Sequence, residues 1–447
     1  MGKYFGTDGI RGIANVELDS ELALKIGRAI GKFLLKNNTT RGLVAIGKDN
    51  RLSGDMIEHS IISGLVSVGL STVSLGVIPT PAVSRLITIN KFIAGIVISA
   101  SHNPVEDNGI KLFNSNGCKF DETEESIIEE YIDFFDKSDL VKNNEIGKAY
   151  VNNNAVNLYL DSVYVLFKDL DLKGQKIFVD CANGSTSYTT PQLLSRLGAE
   201  VISINSNHDG EKINVNCGST NLGFAIDYAV QNKVDFGFGF AHDGDGDRVI
   251  GFLNNGKIID GDIMLTLCAL YRKKKSTLKN NLIIGTTMTN AGIECFLNEN
   301  GIKFFRSDVG DRYVYKDMVR LSADLGGEQS GHLIFFDKGK TGDGLITILE
   351  FLRVIIDKDL NLINEIEKIK FYDQTLLNVK VSDKSIISNS QILKDKIDSI
   401  LSSEEYIRIN VRPSGTEPLI RILVEAPEKH ICDKYANEIK KTVDMLI

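Results

Sequence analysis

Three aspartates at alternate positions form the sharpest local pattern of the sequence. Asp243, Asp245 and Asp247 are separated by single glycines, which let the backbone curl, and Arg248 follows them. Their oxygens could converge on one hard cation such as Mg²⁺, and without a cation their mutual repulsion would be costly. An EF-hand is excluded, because its sixth position needs glycine and holds Arg248, and its twelfth needs glutamate and holds Asn254. An aspartyl nucleophile that carries phosphate and a solvated acidic turn are the alternative interpretations.

A serine at the end of an apolar run is a second candidate. Ser101 follows the run 92–99, and the residues around it, Ala100 and His102 to Pro104, are typical of a tight loop. A serine there could accept a phosphoryl group or could simply form the turn. Lys111 follows Ser101 closely in the sequence and could bind a phosphoryl group or move a proton. Taken alone, it is more typical of a surface lysine.

A glycine-rich loop later in the chain groups hydrogen-bonding side chains with an imidazole. It runs from Gly326 to His332 with the sequence G-G-E-Q-S-G-H. Glu328 and Ser330 could hold vicinal sugar hydroxyls or an amino group, and His332 could act as an acid or a base. A polar turn without a function is the alternative.

The stretch from Arg412 to Pro418 suits a phosphate monoester. With Arg421 beyond it, the stretch presents an arginine, hydroxyl side chains and backbone amides around a glycine, which together form an anion nest. The residues concerned inside the stretch are Ser414, Gly415 and Thr416. A rigid turn bounded by prolines is the alternative.

A fifth loop lies near the start of the chain. Arg11 falls within the run from Phe5 to Gly12 and could reach a phosphoryl group, unless the run is a mobile arm. Together the five loops supply a nucleophile, a cation cage, groups for proton transfer, and clamps for a sugar and a phosphate. This chemistry converges on phosphoryl transfer to a sugar phosphate. The sequence contains no P-loop, dinucleotide fingerprint or kinase signature, so no nucleotide donor is evident.

The elements that must position these loops alternate between β-rich and helical runs. This alternation predicts three α/β domains with mixed sheets, followed by a smaller C-terminal α+β domain, all arranged around a central cleft. The serine, aspartate and glycine-rich loops each follow a predicted strand, at the position where ligands collect in open α/β sheets. Each predicted domain carries one of these loops. Residues 1–152 carry the serine loop, and 153–253 carry the aspartate loop. Residues 254–368 carry the glycine-rich loop, or sugar loop, and 369–447 carry the phosphate stretch that begins at Arg412.

Composition limits the classes of protein that fit. The 447 residues are 43% hydrophobic and 25% charged, which is enough apolar material for three or four domains of roughly 100–150 residues each. The net charge of −8 disfavours nucleic acid as a partner. No apolar run approaches the roughly 18 residues of a membrane helix and the start is too polar for a signal peptide, so we expect a cytoplasmic protein without a membrane partner. The six scattered cysteines include no C-x-x-C pair and indicate neither a zinc site nor a disulfide framework.

Four of the loops, in their order and approximate spacing, resemble the α-D-phosphohexomutase superfamily over essentially the whole chain. The motifs are S-A-S-H-N-P around Ser101, D-G-D-G-D-R from Asp243, G-G-E-Q-S-G-H from Gly326 and R-P-S-G-T-E-P from Arg412. The N-terminal F-G-T-D-G-I-R-G and Gln329 in the sugar loop resemble the branch that acts on glucosamine phosphates. Relatives that act on mannose or glucose phosphates tend to carry a different residue at the position of Gln329.

The resemblance implies an isomerase that works as an intramolecular phosphotransferase. Ser101 would be carried in its phosphorylated form and would hand its phosphoryl group to the free hydroxyl of a hexosamine monophosphate. The resulting glucosamine 1,6-bisphosphate, which would also serve as activator, would reorient and return the other phosphate to Ser101. Glucosamine 6-phosphate would thereby become glucosamine 1-phosphate, the precursor of UDP-N-acetylglucosamine and of the cell wall.

The resemblance also implies roles for individual residues. One Mg²⁺ per chain would be held by Ser101, Asp243, Asp245 and Asp247. The reacting phosphate would be surrounded by Arg11, Arg248 and Lys111. Proton transfer would fall to Lys111 and His332, and the sugar would be gripped by Glu328 and Ser330. The distal phosphate would be bound by Arg412, Ser414, Gly415, Thr416 and Arg421.

The resemblance also implies a homodimer. Reorientation of a bisphosphate requires an open cleft, so we expect the C-terminal domain to hinge about the linker 368–373. The alternatives are the same mechanism acting on mannose or glucose phosphates, and a catalytically silent phosphosugar-binding protein. The presence of Ser101 and of all three aspartates argues against the silent protein.

Overall fold

The computed structural model describes most of the chain in four sheet-based units. The described residues are 2–6, 8–37, 42–357, 361–381, 387, 390–404, 406–413 and 419–446. The four sheets contain seven, five, four and three strands in chain order. The predicted fold class, three α/β units followed by a smaller α+β unit, is confirmed.

The first unit is built on a mixed sheet with the strand order β1-β2-β6-β5-β3-β4-β7. β5 is buried along its whole length, as the apolar run 92–99 predicted. The sequence analysis did not identify β6, which pairs antiparallel with β5 and places Lys111 opposite Val97. The elements are β1 Phe5–Gly6, β2 Gly9–Ile13, α1 Ser20–Asn37, β3 Leu43–Lys48, α2 Gly54–Ser67, β4 Ser71–Val77, α3 Thr80–Asn90, β5 Ala94–Ile98, β6 Asp107–Asn114, α4 Glu122–Asp133 and β7 Ala149–Val151.

The second unit has the strand order β12-β11-β10-β8-β9. β8, β9 and β10 are parallel, and β11 returns antiparallel to β10, so the aspartate loop forms the turn between β10 and β11. The elements are α5 Ala155–Leu166, β8 Lys176–Asp180, α6 Thr190–Arg196, β9 Glu200–Ile204, α7 Leu222–Gln231, β10 Phe238–His242, β11 Val249–Leu253 and β12 Ile258–Ile259.

The third unit has the strand order β14-β13-β15-β16. The glycine-rich loop connects β15 to β16, which pair antiparallel. The elements are α8 Gly261–Lys274, β13 Leu282–Thr286, α9 Ala291–Glu299, β14 Lys303–Ser307, α10 Asp311–Leu321, β15 Leu325–Gly327, β16 Leu333–Phe335, α11 Gly344–Ile356 and α12 Leu362–Lys368.

The fourth unit is a small antiparallel sheet, ordered β17-β19-β18, and its described residues include the two helices given below. The predicted phosphate stretch 412–418 begins on β18, which ends at Pro413, and its residues 414–418 lie outside the described residues. The elements are β17 Asp373–Lys380, α13 Gln391–Ser403, β18 Arg408–Pro413, β19 Leu419–Ala426 and α14 Lys429–Asp444. Elsewhere in the chain, short 3₁₀ turns cover Lys137–Asp139, Asn143–Glu145, Ser185–Ser187 and Lys279–Asn281.

The hydrophobic cores divide the molecule differently from the sheets. The largest core runs continuously from Ala45 to Ile369 through the first three units. The fourth unit has its own core, from Val379 to Val443, which shares no buried residue with the other cores of the described chain. The first three units are therefore tied together by apolar packing, whereas the fourth packs mainly upon itself. Within the described ranges, no helix is long and apolar enough to cross a membrane.

Candidate active site

Ser101 lies where the first sheet meets the second unit. It follows the end of β5, is buried, and has a left-handed backbone with φ of 52°. Its hydroxyl donates a hydrogen bond to Asp243 Oδ2 over 2.6 Å. Asp243 directly follows β10 of the second sheet. Two loops that the sequence analysis identified separately thus meet at one point.

The three aspartates form a buried cluster. One oxygen from each of Asp243, Asp245 and Asp247 lies within 4.8 Å of the others. Burial, together with the charges of the two neighbouring aspartates, raises the pKa of Asp243 well above its usual range. Among the described residues, the buried oxygens Asp245 Oδ1 and Asp247 Oδ1 have no hydrogen-bond partner. Orphaned oxygens in an all-carboxylate set fit a hard divalent cation such as Mg²⁺.

Lys111 compensates part of this negative charge. Its Nζ lies 2.9 Å from Asp245 Oδ2, 3.4 Å from Asp247 Oδ2 and 3.2 Å from Asp8 Oδ2. Although burial opposes its charged form, these three carboxylates raise the pKa of Lys111 well above its usual range. Burial also opposes the charged form of Asp245, yet Lys111 holds the pKa of this carboxyl below its usual range. The lysine therefore contributes a fixed positive charge rather than a free base.

Asp8 and Lys119 belong to the site although the sequence analysis did not single them out. Asp8 Oδ2 accepts a hydrogen bond from Arg11 Nη2 over 2.7 Å, and Asp8 Oδ1 pairs with Lys119. Lys119 also pairs with Asp311 of the third unit. Asp8 stands three residues before Arg11 in the same loop, so proximity in sequence could have identified it. Lys119 and Asp311 lie outside every motif, and only the fold brings them together.

A cavity of about 560 Å³ opens beside these charges, between the first three units. Its lining collects residues from four of the five predicted loops: Arg11, His102, Asp247, Arg248, Glu328, Ser330 and His332. Cationic and acidic side chains therefore face one another across a space large enough for a sugar phosphate.

The glycine-rich loop supplies an acid and an imidazole that are both held in place. Glu328 Oε1 accepts a hydrogen bond from the Gly310 N–H over 3.0 Å. His332 Nε2 accepts one from the Gly342 N–H over 3.2 Å and lies 3.4 Å from Asp311 Oδ2. Within the described chain, His332 Nδ1 is buried without a hydrogen-bond partner. This nitrogen is the one left to meet a bound ligand.

The two arginines of the phosphate clamp lie on neighbouring strands of the fourth unit. Arg412 and Arg421 are directly opposite each other on β18 and β19, so their side chains share one face. Opposed like charges are destabilising unless an anion lies between them. In the described part of the chain, neither arginine lines the 560 Å³ cavity, and Arg412 Nη2 instead lies 3.8 Å from Met288 Sδ of the third unit. The remaining clamp candidates lie outside the described residues: Ser414, Gly415 and Thr416.

Comparison with known protein families agrees with this arrangement. Four models of phosphoglucomutase/phosphomannomutase domains match the chain in order: α/β/α domain I at residues 2–138, domain II at 157–256, domain III at 260–371 and the C-terminal domain at 376–442. A solved phosphoglucomutase/phosphomannomutase family protein from Burkholderia thailandensis has the same fold. It is 22% identical, with a TM-score of 0.80 over 99% of this chain and 97% of its own.

Relatives with curated names are considerably closer in sequence. A phosphoglucosamine mutase from Carboxydothermus hydrogenoformans is 42% identical, and the match covers 100% of both chains. One from Clostridioides difficile is 43% identical, with 99% of both chains covered. The chain belongs to the phosphoglucomutase/phosphomannomutase family and, within it, to the phosphoglucosamine mutases.

Proposed function

We propose that this protein is an isomerase that interconverts glucosamine 6-phosphate and glucosamine 1-phosphate. The observation that carries the proposal is the contact of 2.6 Å between Ser101 Oγ and Asp243, at the edge of a buried triad of aspartates. A nucleophile held against a cation site, beside a cavity with sugar and phosphate ligands, suits phosphoryl transfer. The names of the full-length relatives supply the glucosamine substrate.

The reaction would run through a phosphorylated Ser101. In the first half, the bond between Ser101 Oγ and phosphorus breaks while the free hydroxyl oxygen of the sugar phosphate bonds to phosphorus. The sugar hydroxyl gives up its proton, and Ser101 Oγ takes one up as it leaves. The product of this half-reaction is glucosamine 1,6-bisphosphate. After the bisphosphate reorients, the second half returns its other phosphoryl group to Ser101, whose hydroxyl gives up its proton. The sugar oxygen that is left takes one up. No phosphate is gained or lost over the cycle.

Mg²⁺ is the cofactor that the site fits. Asp243, Asp245 and Asp247, with an oxygen of Ser101, would hold one ion. When bound, the ion supplies positive charge against the oxygens of the transferring phosphoryl group. Arg11 and Arg248 face the same cavity and would add charge of the same sign.

Lys111 and His332, the two candidates for proton transfer, have surroundings that suit them to different roles. Lys111 is surrounded by three carboxylates that stabilise its charged form, which suits it to bind the phosphoryl group. His332 presents Nδ1, its buried nitrogen without a partner among the described residues, beside the cavity. We therefore assign the proton exchange with the sugar hydroxyl to His332 Nδ1. This nitrogen takes up the proton in the tautomer that carries its hydrogen on Nε2, facing Asp311 Oδ2 at 3.4 Å, rather than in the tautomer that accepts from Gly342.

The remaining roles follow from position. Glu328 and Ser330 line the cavity and would hold the sugar. Arg412 and Arg421, together with Ser414, Gly415 and Thr416, would bind the distal phosphate once the fourth unit closes over the cavity. The product would supply the synthesis of UDP-N-acetylglucosamine and of the cell wall.

We also propose a homodimer that acts in the cytoplasm. The homodimer is supported by resemblance to the family, and light scattering on the eluting protein tests it. The six cysteines, all of them among the described residues, are free thiols, as proteins of a reducing compartment have them.

A mutase assay tests the function. The purified protein would be given Mg²⁺, a catalytic amount of glucose 1,6-bisphosphate, and glucosamine, glucose or mannose 6-phosphate, with Ser101→Ala as the matched control. We expect preference for glucosamine 6-phosphate, lost in the variant. Preference for another hexose would keep the mechanism and change the substrate. No turnover while mass spectrometry shows phosphorylated Ser101 would instead indicate a silent phosphosugar-binding protein.

A further inference from the structure

One buried guanidinium holds the backbone of the loop that carries Ser101. Arg51 Nη2 donates to the Ser101 carbonyl over 3.0 Å and to the Asn103 carbonyl over 2.9 Å. Its Nη1 donates to the Asp107 carbonyl over 2.9 Å and also to the Pro104 carbonyl. The side chain of Arg51 has no exposed surface. A single planar group thus gathers four carbonyls of one short loop.

The guanidinium is itself fixed from behind. Arg51 Nε lies 3.0 Å from Asp49 Oδ2, and the same carboxylate oxygen accepts the Ser99 hydroxyl over 2.6 Å. Ser99 Oγ in turn accepts the N–H of Ser101 over 2.9 Å. The peptide groups on both sides of the Ser101 Cα are therefore bound to one buried network, one through its N–H and the other through its carbonyl.

A second clamp reaches the same carbonyl from the second unit. Asn214 Nδ2 donates to the Ser101 carbonyl over 2.8 Å and lies 3.4 Å from the Asn103 carbonyl. Gly244 of the aspartate loop packs against this hydrogen bond. A Cβ at this position would lie 2.8 Å from the Ser101 carbonyl oxygen and 2.9 Å from Asn214 Nδ2, so only glycine leaves room for the contact. The Ser101 carbonyl is thus the point at which the first unit, the second unit and the aspartate loop meet.

The conformation of Ser101 explains what these clamps do. Its φ of 52° is a region that residues other than glycine adopt only when the surroundings hold them there. In this conformation Oγ reaches Asp243, and a relaxed backbone would aim the hydroxyl elsewhere. Holding the carbonyl on two sides keeps the nucleophile aimed while its phosphoryl group leaves and returns.

We propose that Arg51 and Asn214 are positioning residues for phosphoryl transfer, which act by clamping the Ser101 carbonyl from the first and the second unit. The inference rests on the proposed function, because it assumes that Ser101 exchanges a phosphoryl group with the sugar. Neither residue touches the reacting atoms. Their loss therefore slows the transfer step without weakening the binding of the sugar phosphate.

The test compares two asparagines of one loop in the full-length protein. Asn214 and Asn216 both have a left-handed backbone, with φ of 60° and 53°, and glycine adopts that conformation freely. Asn216 is exposed, and its side chain makes no hydrogen bond to Ser101 in the described structure. Asn214→Gly therefore removes the hydrogen bond from Asn214 Nδ2 to the Ser101 carbonyl. Asn216→Gly removes a similar side chain and leaves that hydrogen bond in place.

Asn214→Gly should lower kcat for glucosamine 6-phosphate by about 10- to 100-fold, with KM changed less than about twofold, because the sugar and phosphate ligands are untouched. Asn216→Gly should match the wild type, and thermal melting should show that both variants fold. Equal kcat for the two variants, or a loss confined to KM, would overturn the inference. Arg51→Lys, which keeps the charge and loses the fork of donors, should repeat the fall in kcat, and full activity in this variant would remove Arg51 from the proposal.

A second readout separates this inference from the proposed function. The rate at which glucose 1,6-bisphosphate phosphorylates Ser101 can be followed by mass spectrometry without any glucosamine substrate. If the wild type is phosphorylated but converts no glucosamine 6-phosphate, the proposed substrate fails, and slower phosphorylation of Asn214→Gly than of Asn216→Gly still supports the clamp. Phosphorylation of both variants at the same rate would contradict it, and no phosphorylation of the wild type would overturn both proposals.

Discussion

The region around Ser101 and the region around Arg412, which the proposed mechanism uses together, differ in burial and in the core to which they belong. The transfer centre around Ser101 is buried and belongs to units that share one apolar core. The phosphate clamp around Arg412 is exposed and belongs to a unit with a core of its own. A nucleophile that must be aimed benefits from a fixed frame, whereas a clamp that must release a turning intermediate benefits from a separate one. The separate cores support the proposal that the first three units hold the nucleophile in place and that the fourth unit moves.

Removal of the divalent cation should have the largest effect, because it acts on the region around Ser101. Chelation should lower kcat by about 10³-fold or more, since Lys111 offsets only part of the negative charge of the three carboxylates, and the rest would then oppose the transferring phosphoryl group. The measurement is the mutase rate after dialysis against a chelator, with Mg²⁺ restored as the control. Full activity without any divalent cation would show that the triad is not a cation site.

Loss of an arginine from the proposed phosphate clamp should have a smaller effect and a different kinetic signature. Arg412→Ala should reduce kcat/KM by about 10- to 100-fold, the value of one or two charge-assisted hydrogen bonds, and should leave the Mg²⁺ concentration for half-maximal activity unchanged. Arg320→Ala is the matched control, because Arg320 is an exposed arginine on α10 whose described contacts are the ion pair with Asp317 and the ring of Phe305. An equal loss of phosphate and Mg²⁺ affinity would contradict the separation of the two regions.

Solution scattering would sharpen the comparison by observing the motion itself. If the fourth unit closes about the linker 368–373, as we propose, the radius of gyration should fall when glucose 1,6-bisphosphate is added. Ser101→Ala is a suitable form for this measurement, since it should bind the bisphosphate without turning it over. An unchanged radius at saturating ligand would remove the main support for the hinge.

A buried carboxyl away from the transfer centre gives the smallest predicted effect. Burial and the neighbouring Asp260 raise the pKa of Asp262, at the start of α8, to about 7. Since this pKa lies above that of the unfolded chain, the protonated carboxyl stabilises the fold at acidic pH, and the stability is lost as pH rises through about 7. From pH 6 to 8 the loss should be about 1 kcal/mol.

Denaturant unfolding at the two pH values measures this difference. Asp262→Asn should show less pH dependence over this range, whereas the wild type should lose stability as the pH rises. The contrast with Asp245, whose pKa Lys111 holds low, shows how an adjacent cation keeps a buried carboxylate ionised. The same slope in the variant and the wild type would assign the pH dependence to another group.

The fold class and the candidate loops could be predicted from the sequence, whereas the residues that hold those loops in place could not. Ser101 and Asp243, whose side chains lie 2.6 Å apart in the structure, could be singled out because each stands in a short motif just after an apolar strand. Asp311 and Lys119 were missed because they meet across 192 positions, and no local pattern signals such a pair. Arg51 and Asn214 were missed for the same physical reason, since both donate hydrogen bonds to the backbone carbonyl of Ser101, which is distant from them in the sequence. The run 107–114 was not recognised as a strand, because its polar first residues resemble a loop.

The most direct test of the central claim is a single turnover of the phosphorylated enzyme. Protein carrying ³²P on Ser101 would be isolated with Mg²⁺ and mixed with excess glucosamine 6-phosphate, and the label would be followed over time. We predict that the label leaves Ser101 and appears first in glucosamine 1,6-bisphosphate, then in the monophosphates, with little inorganic phosphate. Label that stays on Ser101, or that is released directly as inorganic phosphate, would contradict the account.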